Sequence, residues 1–293
     1  MTGSTVPRRM LGRQLRHLRE KAGVGMTQAC KAIEVSPQTM WRMEGGQSVK
    51  LKVVYIEALC RLYGASDDDT ATLLGLIEEA QRTGWWHSYG DCVPVHFDLY
   101  LGLEEAAKRL TTWQVTLLPG LLQTPEYRRA MIWTVFPGMP TAAVEQRVEM
   151  TVKRQGRLRE ADFVATALLS EAVLHHQVGG PGVMADQLSH LVALGKSPNV
   201  SIRVVPQRVG SHLGLQTGPF VLLEFPARTS PDLRTKWVEP PVVYVEGYTG
   251  ALYLEKDSEI DSYRSALVEI KRHALDEQDT RDMLAQRAKE YIG

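Results

Sequence analysis

The sequence predicts an all-α amino-terminal domain followed by an α+β carboxy-terminal domain. Three observations lead there. Glycines cut the first sixty-four residues into short segments of helical period. Runs of β-branched and aromatic residues gather late in the chain. Charge is also split between the two regions: residues 1–64 carry eleven Lys and Arg against four acids, a net of +7, and the remainder is −7. A basic head on an acidic body is expected where only the head meets a polyanion. At 293 residues, 44% hydrophobic and 23% charged, the chain has room for two or three domains with ordinary cores.

In the head, Leu11, Leu15 and Leu18 recur at helical spacing and predict a helix over 8–22, with Arg9, Arg13 and Arg16 on its other faces. "AGVG" ends it. Thr27 is expected to cap a second helix with Gln28 in its first turn and Ala29, Ala32 and Ile33 packed inward, followed by Val35 in a buried turn. Ser36 is a good N-cap, and Pro37 suits the first helical position because its missing N–H is not needed there. The helix from Pro37 to Glu44 turns Met40 and Met43 inward and leaves Gln38, Thr39, Trp41 and Arg42 on other sides, until Gly45 and Gly46 stop it. A further helix over 53–63 turns Leu59 and Leu62 inward and closes on Gly64. A tight turn before a short, polar-faced helix is the helix-turn-helix layout, in which one helix docks on phosphates and the next enters the major groove.

The stretch "LGRQLRHLREKAGVGMTQACKAIEVSPQTMWRMEGG" resembles the XRE, or phage-repressor-like, helix-turn-helix family. The likeness lies in "LRxLRE", the "TQ" opening the second helix, and the "S…TxxRxE" pattern from Ser36 to Glu44. It implies that Gln28 meets a phosphate, that Gln38, Thr39 and Arg42 face the groove, and that Glu44 is structural. Ser36 and Lys50 complete the expected DNA-facing set, with Lys52 a second basic residue after the glycine turn; both lysines could equally be solvated. Trp41 either packs on the sugar-phosphate edge or folds under the helix as core. Residues before Thr27 lengthen the preceding loop, and Pro37 and Trp41 replace the family's usual small or polar residues, so a target sequence cannot be carried over.

Residues 65–84 read as a linking helix, with Ser66 and Asp69 as a capping box and Leu73, Leu76 and Ala80 on one face. The body spans 85–293. "LYLGLEEAAKRL" predicts a helix with Glu104 and Glu105 solvated, an apolar loop follows, and Thr124–Pro125 opens another helix. Residues 141–159 are helical, "DFVATALLSE" is a strand, and a helix opens at Pro181. "VSIRVVP", "PFVLLEF", "PVVYVE" and "ALYLE" are strands, and 258–290 returns to helix. The loop "ARTSPDLRTKWVEPP", with its three prolines, is expected to be mobile.

The strings "YLGLEEAA", "LLPGLLQTPEYRRA", "LSEAVLHHQVGGPGVMADQLSHL" and "GSHLGLQTGPFVLLEF" resemble a domain that follows XRE heads in regulators of filamentous high-GC bacteria. "PGLLQT" is its most distinctive stretch. The likeness implies an antitoxin-like transcriptional regulator, often encoded beside a small partner protein.

Nothing points to an enzyme or a cofactor. The chain has no GxSxG, HExxH, P-loop or dinucleotide fingerprint, and "VGGPGV" lacks the lysine of a phosphate loop. Cys30, Cys60 and Cys92 show no CxxC spacing, and Cys92 with His96 lacks a second pair of metal ligands, so no metal is expected. No run is long enough for a membrane span, and the basic start lacks an apolar signal region, which places the protein in the cytoplasm. The expected partners are double-stranded DNA with a palindromic operator and a second copy of the chain, with a small protein or a small-molecule ligand as further possibilities. Trp85, Trp86, Leu118, Leu121 and Leu122 are candidate protein anchors. Trp85, Trp86, Tyr89, Trp113, Arg203 and His212 are candidate walls of a ligand pocket.

Overall fold

The computed structural model describes residues 5–82, 84–93, 95–228 and 237–293. They form two compact units. The first comprises residues 1–88, 101–106 and 226–239, and the second 89–100, 107–225 and 240–293. Residues 229–236 of the proline-containing loop lie outside the described residues, as do the side chains of Cys92 and His96.

In the first unit, α1 (Thr5–Lys21), α2 (Met26–Ala32), α3 (Pro37–Glu44), α4 (Val53–Tyr63) and α5 (Asp67–Gln81) surround one core. Leu11, Leu15, Leu18, Met40, Met43, Ile56, Leu59, Leu73 and Ile77 fill it, and the leucine period of α1 is the stripe that faces inward. A glycine-marked break at Gly23 and Gly25 separates α1 from α2, and a turn without glycine, residues 33–36, separates α2 from α3. Gly25, not Thr27, holds the N-cap of α2, because its extended backbone (φ −73°, ψ 153°) already precedes the first helical turn, and Thr27 is exposed within that turn. Ala32 faces solvent at the frayed end of this seven-residue helix, and Cys30 takes the inward place beside Ala29 and Ile33. Leu62 is half-buried, its place in the core taken by Ile56 and Tyr63. Ser66 Oγ accepts from Asp69 N at 3.1 Å and donates to the Asp69 carboxylate at 2.8 Å, which starts α5. Burial pushes the thiols of Cys30 and Cys60 up, which keeps them protonated and unreactive.

A 3-10 segment over Trp85–Cys92 leads into α6 (Val95–Ala106). The α+β expectation holds for the second unit, which is built on a six-stranded mixed sheet ordered β3-β2-β1-β4-β7-β8. Its strands are β1 (Arg109–Gln114), β2 (Val164–Ser170), β3 (Val200–Val205), β4 (Phe220–Glu224), β7 (Val242–Gly247) and β8 (Gly250–Leu254). A two-residue pair, β5 (Ala227–Arg228) and β6 (Trp237–Val238), lies between β4 and β7 in the chain and belongs to the first unit. β1 pairs parallel with β2 and antiparallel with β4. It corrects the reading of this stretch as the end of a helix and the start of a loop: α6 stops at Ala106, and "RLTTWQ" becomes an inner strand. Its threonines masked it, since a strand flanked on both sides needs β-branched fit more than alternating hydrophobicity.

The crossovers carry α7 (Pro125–Val135), α8 (Thr141–Gln155) and α9 (Pro181–Leu194), and after the four-residue α10 (Gly214–Thr217) and the hairpin come α11 (Asp257–His273) and α12 (Glu277–Ile292). Ile260, Leu267 and Ile270 of α11 pack on Trp113, Leu168, Phe220, Leu222 and Val243 of the sheet. The stretch over 258–290 is helical as expected and forms two helices, divided where the side chain of Asp276 caps α12 by accepting from Asp279 N at 2.8 Å.

The stretch from Pro119 to Thr124 is held by buried amides. Gln187, fully buried in α9, accepts from Thr124 N at 2.6 Å and donates to Leu122 O at 2.8 Å, and Gln123 donates to Leu118 O at 2.7 Å. Replacing Gln187 with leucine leaves a buried donor and a buried acceptor without partners. It is expected to lower stability by about 2–3 kcal/mol in a urea titration, and a loss below about 0.5 kcal/mol would show that the amide is not what holds this stretch.

Candidate nucleic-acid interface

The turn between α2 and α3 places Glu34 in the left-handed region (φ 52°), a conformation few side chains adopt. Ser36 then caps α3. Its Oγ accepts from Thr39 N at 3.2 Å and lies 3.0 Å from Thr39 Oγ1, and Pro37 opens the helix. The helix has two faces of opposite character. Met40, Met43 and Glu44 are buried, whereas Gln38 and Arg42 are exposed and Trp41 keeps 53% of its surface. Of the two conformations open to Trp41, the structure adopts the outward one, because Met40 and Met43 already fill the space beneath. Gln28 and Lys50 are exposed, as is Lys52, whose Nζ lies 4.7 Å from the centre of the Tyr55 ring.

Beneath α3, the carboxylate of Glu44 is fully enclosed and sits in the fork of Arg19. Arg19 Nε donates to Oε1 at 2.6 Å and Nη2 to Oε2 at 2.9 Å, while Nη1 donates to Val24 O at 3.2 Å. The bond to Glu44, ahead of the cost of burial, raises the guanidinium above its ordinary range. Arg16 adds a longer contact to Glu44 at 3.6 Å. The helices approach closely because Gly12 has no Cβ: one built there would meet the carbonyl oxygens of Met43 and Glu44. Gly46 turns the chain away with φ 66°, resting on the backbone of Arg9.

Arg9 and Arg13 are not solvated. Arg9 Nε donates to Glu239 at 2.7 Å and Arg13 Nη2 at 3.3 Å, and the Glu239 side chain is 1% exposed. Of the arginines of α1, therefore, Arg9, Arg13, Arg16 and Arg19 all face carboxylates of the first unit, although Arg16 stays exposed, and Lys21, Lys31, Arg42, Lys50, Lys52 and Arg61 are exposed too. The sequence reading missed these internal pairs. The one local sign was a glycine within the leucine-periodic stretch of α1, which marks a close approach of another backbone.

The chain matches the helix-turn-helix domain family over residues 10–73 and a domain of unknown function (DUF5753) over residues 97–286. It belongs to the DUF5753 family. No curated protein and no solved structure matches it. The helix-turn-helix head gives this DUF5753 protein the fold of a DNA-binding regulator, and no helix among the described residues is long and apolar enough to cross a membrane.

Of the candidate residues of the DUF5753 region, Trp113 and His212 come together, edge to face, and the rest serve the fold. Trp113 is fully buried, donating from Nε1 to Gly214 O at 3.0 Å, so it is core and not a pocket wall. Leu118, Leu121 and Leu122 are buried within their own unit and are not available as protein anchors. Arg203 donates to the carbonyls of Leu275 at 2.6 Å and Ala274 at 2.8 Å, closing the end of α11. His212 stacks edge-on against Trp113 with ring centres 5.8 Å apart. Trp86 is 3% exposed, and Trp85 donates to Glu105 at 3.3 Å; Glu104 is buried as well, so neither glutamate is a simple solvated group.

Two substitutions separate the faces of α3. Glu44→Ala strands Arg19 and should cost about 3 kcal/mol, seen as a fall of several degrees in the melting temperature. Trp41→Ala removes a side chain with no core role and should change stability by less than about 0.5 kcal/mol in the same measurement.

Proposed function

We propose that the protein is a sequence-specific transcriptional regulator of the XRE type, in which α3 is the recognition helix and the DUF5753 domain dimerises and receives a signal. The observation that carries this reading is the division of α3. Gln38, Trp41 and Arg42 project outward from a helix clamped through Met40, Met43 and Glu44. Arg42 offers the fork that reads guanine O6 and N7, and Gln38 the amide that reads adenine N6 and N7. Thr39 is partly engaged in the cap and presents its methyl to a thymine methyl. Trp41 lies flat along the sugar-phosphate edge. Gln28 at the start of α2 and Lys50 after the glycine turn hold phosphates on either side, and Ser36 presents the first amides of α3 to the groove wall.

Eight residues of helix bury too little DNA for tight, specific binding by one copy. A homodimer on a palindromic operator places two such helices about 34 Å apart on one face of the duplex. The buried state of Leu118, Leu121 and Leu122 weighs against the alternative in which those leucines dock a small antitoxin-type partner.

Fragment selection from genomic DNA with the purified protein should enrich a palindrome, and its affinity should fall with salt at a log–log slope of about −0.9 per phosphate neutralised. Arg42→Ala is expected to remove specific binding, by tenfold or more, while the melting temperature holds. Operator affinity kept within a few-fold would displace Arg42 from the interface. Light scattering at micromolar concentration should give twice the chain mass; a monomer there would rule out the palindromic arrangement.

A further inference from the structure

The unit that holds the helix-turn-helix also holds a residue from far along the chain. Glu239 falls within the stretch matched to DUF5753, yet it packs in the first unit. There Arg9 Nε donates to its carboxylate at 2.7 Å and Arg13 Nη2 at 3.3 Å, and the Arg9 and Glu239 side chains are 10% and 1% exposed. Breaking an enclosed charge pair strands both partners, so Arg9 is held where Glu239 meets it.

Arg9 in turn supports the end of α3. A Cβ built on Gly46 would lie 2.6 Å from Arg9 Cα and 2.9 Å from its Cγ, so the glycine turn is seated directly on this residue. The turn is tied back into the helix by its own amides. Gly45 N donates to Trp41 O at 2.9 Å, Gly46 N to Met43 O at 3.1 Å and Gln47 N to Arg42 O at 2.9 Å. Two of those carbonyls belong to Trp41 and Arg42, whose side chains are exposed on the outer face. A continuous line of contacts thus runs from Glu239, through Arg9 and the Gly46 turn, to the outward residues of α3.

The far end of this line is stiff. Just before Glu239 the chain is paired, Ala227 with Val238 and Arg228 with Trp237. Just after it come Pro240 and Pro241, each with φ held at about −65° by its ring, and then Val242, in register with Leu223 of β4. A carboxylate on so stiff a support acts as a fixed point for Arg9, not as a side chain that follows it.

We propose that Glu239 is a positioning residue for DNA reading, which sets the placement of α3 through Arg9 and the Gly46 turn. Its role at DNA rests on the regulator reading above; the mechanical link does not, and is tested without DNA.

Glu239→Gln keeps the shape of the side chain and removes its charge. Well below the melting temperatures of both proteins, hydrogen exchange over residues 42–47 should be about tenfold faster in the variant, and should rise more than exchange over α5. Gel-shift titrations at one salt concentration then compare the selected operator with a random duplex. Glu239→Gln should weaken operator binding by about tenfold, the worth of one bidentate base contact, and leave random-duplex binding within about twofold. Glu239→Asp keeps the charge and should retain most of the operator preference. Equal losses on both duplexes would overturn the proposal, because a smaller folded fraction weakens all binding by one factor. Exchange over 42–47 that is unchanged, or that rises only in step with α5, would overturn it too. Operator preference kept in Glu239→Gln would overturn it and leave the regulator reading standing. If Glu239→Gln does not fold, Arg13→Gln loosens the same carboxylate from a partly exposed side chain and is read against the same outcomes. A wild type that binds both duplexes alike would reject the regulator reading, and the exchange result alone would then decide the mechanical link.

Discussion

A helix of eight residues has almost no stability of its own in water, so α3 exists only as far as its surroundings impose it. In this protein the constraint is met from three sides. Ser36 and Pro37 start α3, Met40 and Met43 bury its inner face, and Glu44 ties its last turn to α1 through the Arg19 fork. The last of these orients the helix as well as stabilising it. A bidentate pair fixes the distance between two backbones and the rotation of one about the other, whereas a hydrophobic contact fixes mainly the distance. The absence of a side chain at Gly12 lets the two backbones come close enough for the fork to close.

The same bonds change how the charge of the head should be understood. A count of +7 over residues 1–64 suggests a broad positive surface, yet much of α1's charge is turned inward onto Glu44 and Glu239. What remains outward lies around α2, α3 and the turn after α3, with Arg16 and Lys21 on α1 and Arg61 on α4.

Where a local rule decides the outcome, the sequence was readable. The cap at Ser36, the proline at position 37, the stops at Gly45 and Gly64, the cap of α5 and the inward methionines each depend on a few adjacent residues. Reading failed where the deciding partner is distant in the chain. β1 is a strand because β2 and β4 flank it, Leu118, Leu121 and Leu122 are core because the second unit closes over them, and Arg203 is structural because α11 ends beside it. Arg9 and Arg13 look solvated until Glu239, more than two hundred positions later, is brought against them.

Glu239 has a consequence for how this molecule can be divided. It arrives on a loop that leaves the sheet after β4 and returns as β7, yet it belongs to the same compact unit as α1. A fragment ending after α5 would contain every helix of the DNA-binding head and still be incomplete, because Arg9, almost wholly enclosed, would lose the carboxylate it is built around. The head is therefore not an excisable cassette. Transplanting the head onto another body would mean carrying a piece of the far end of the chain along with it.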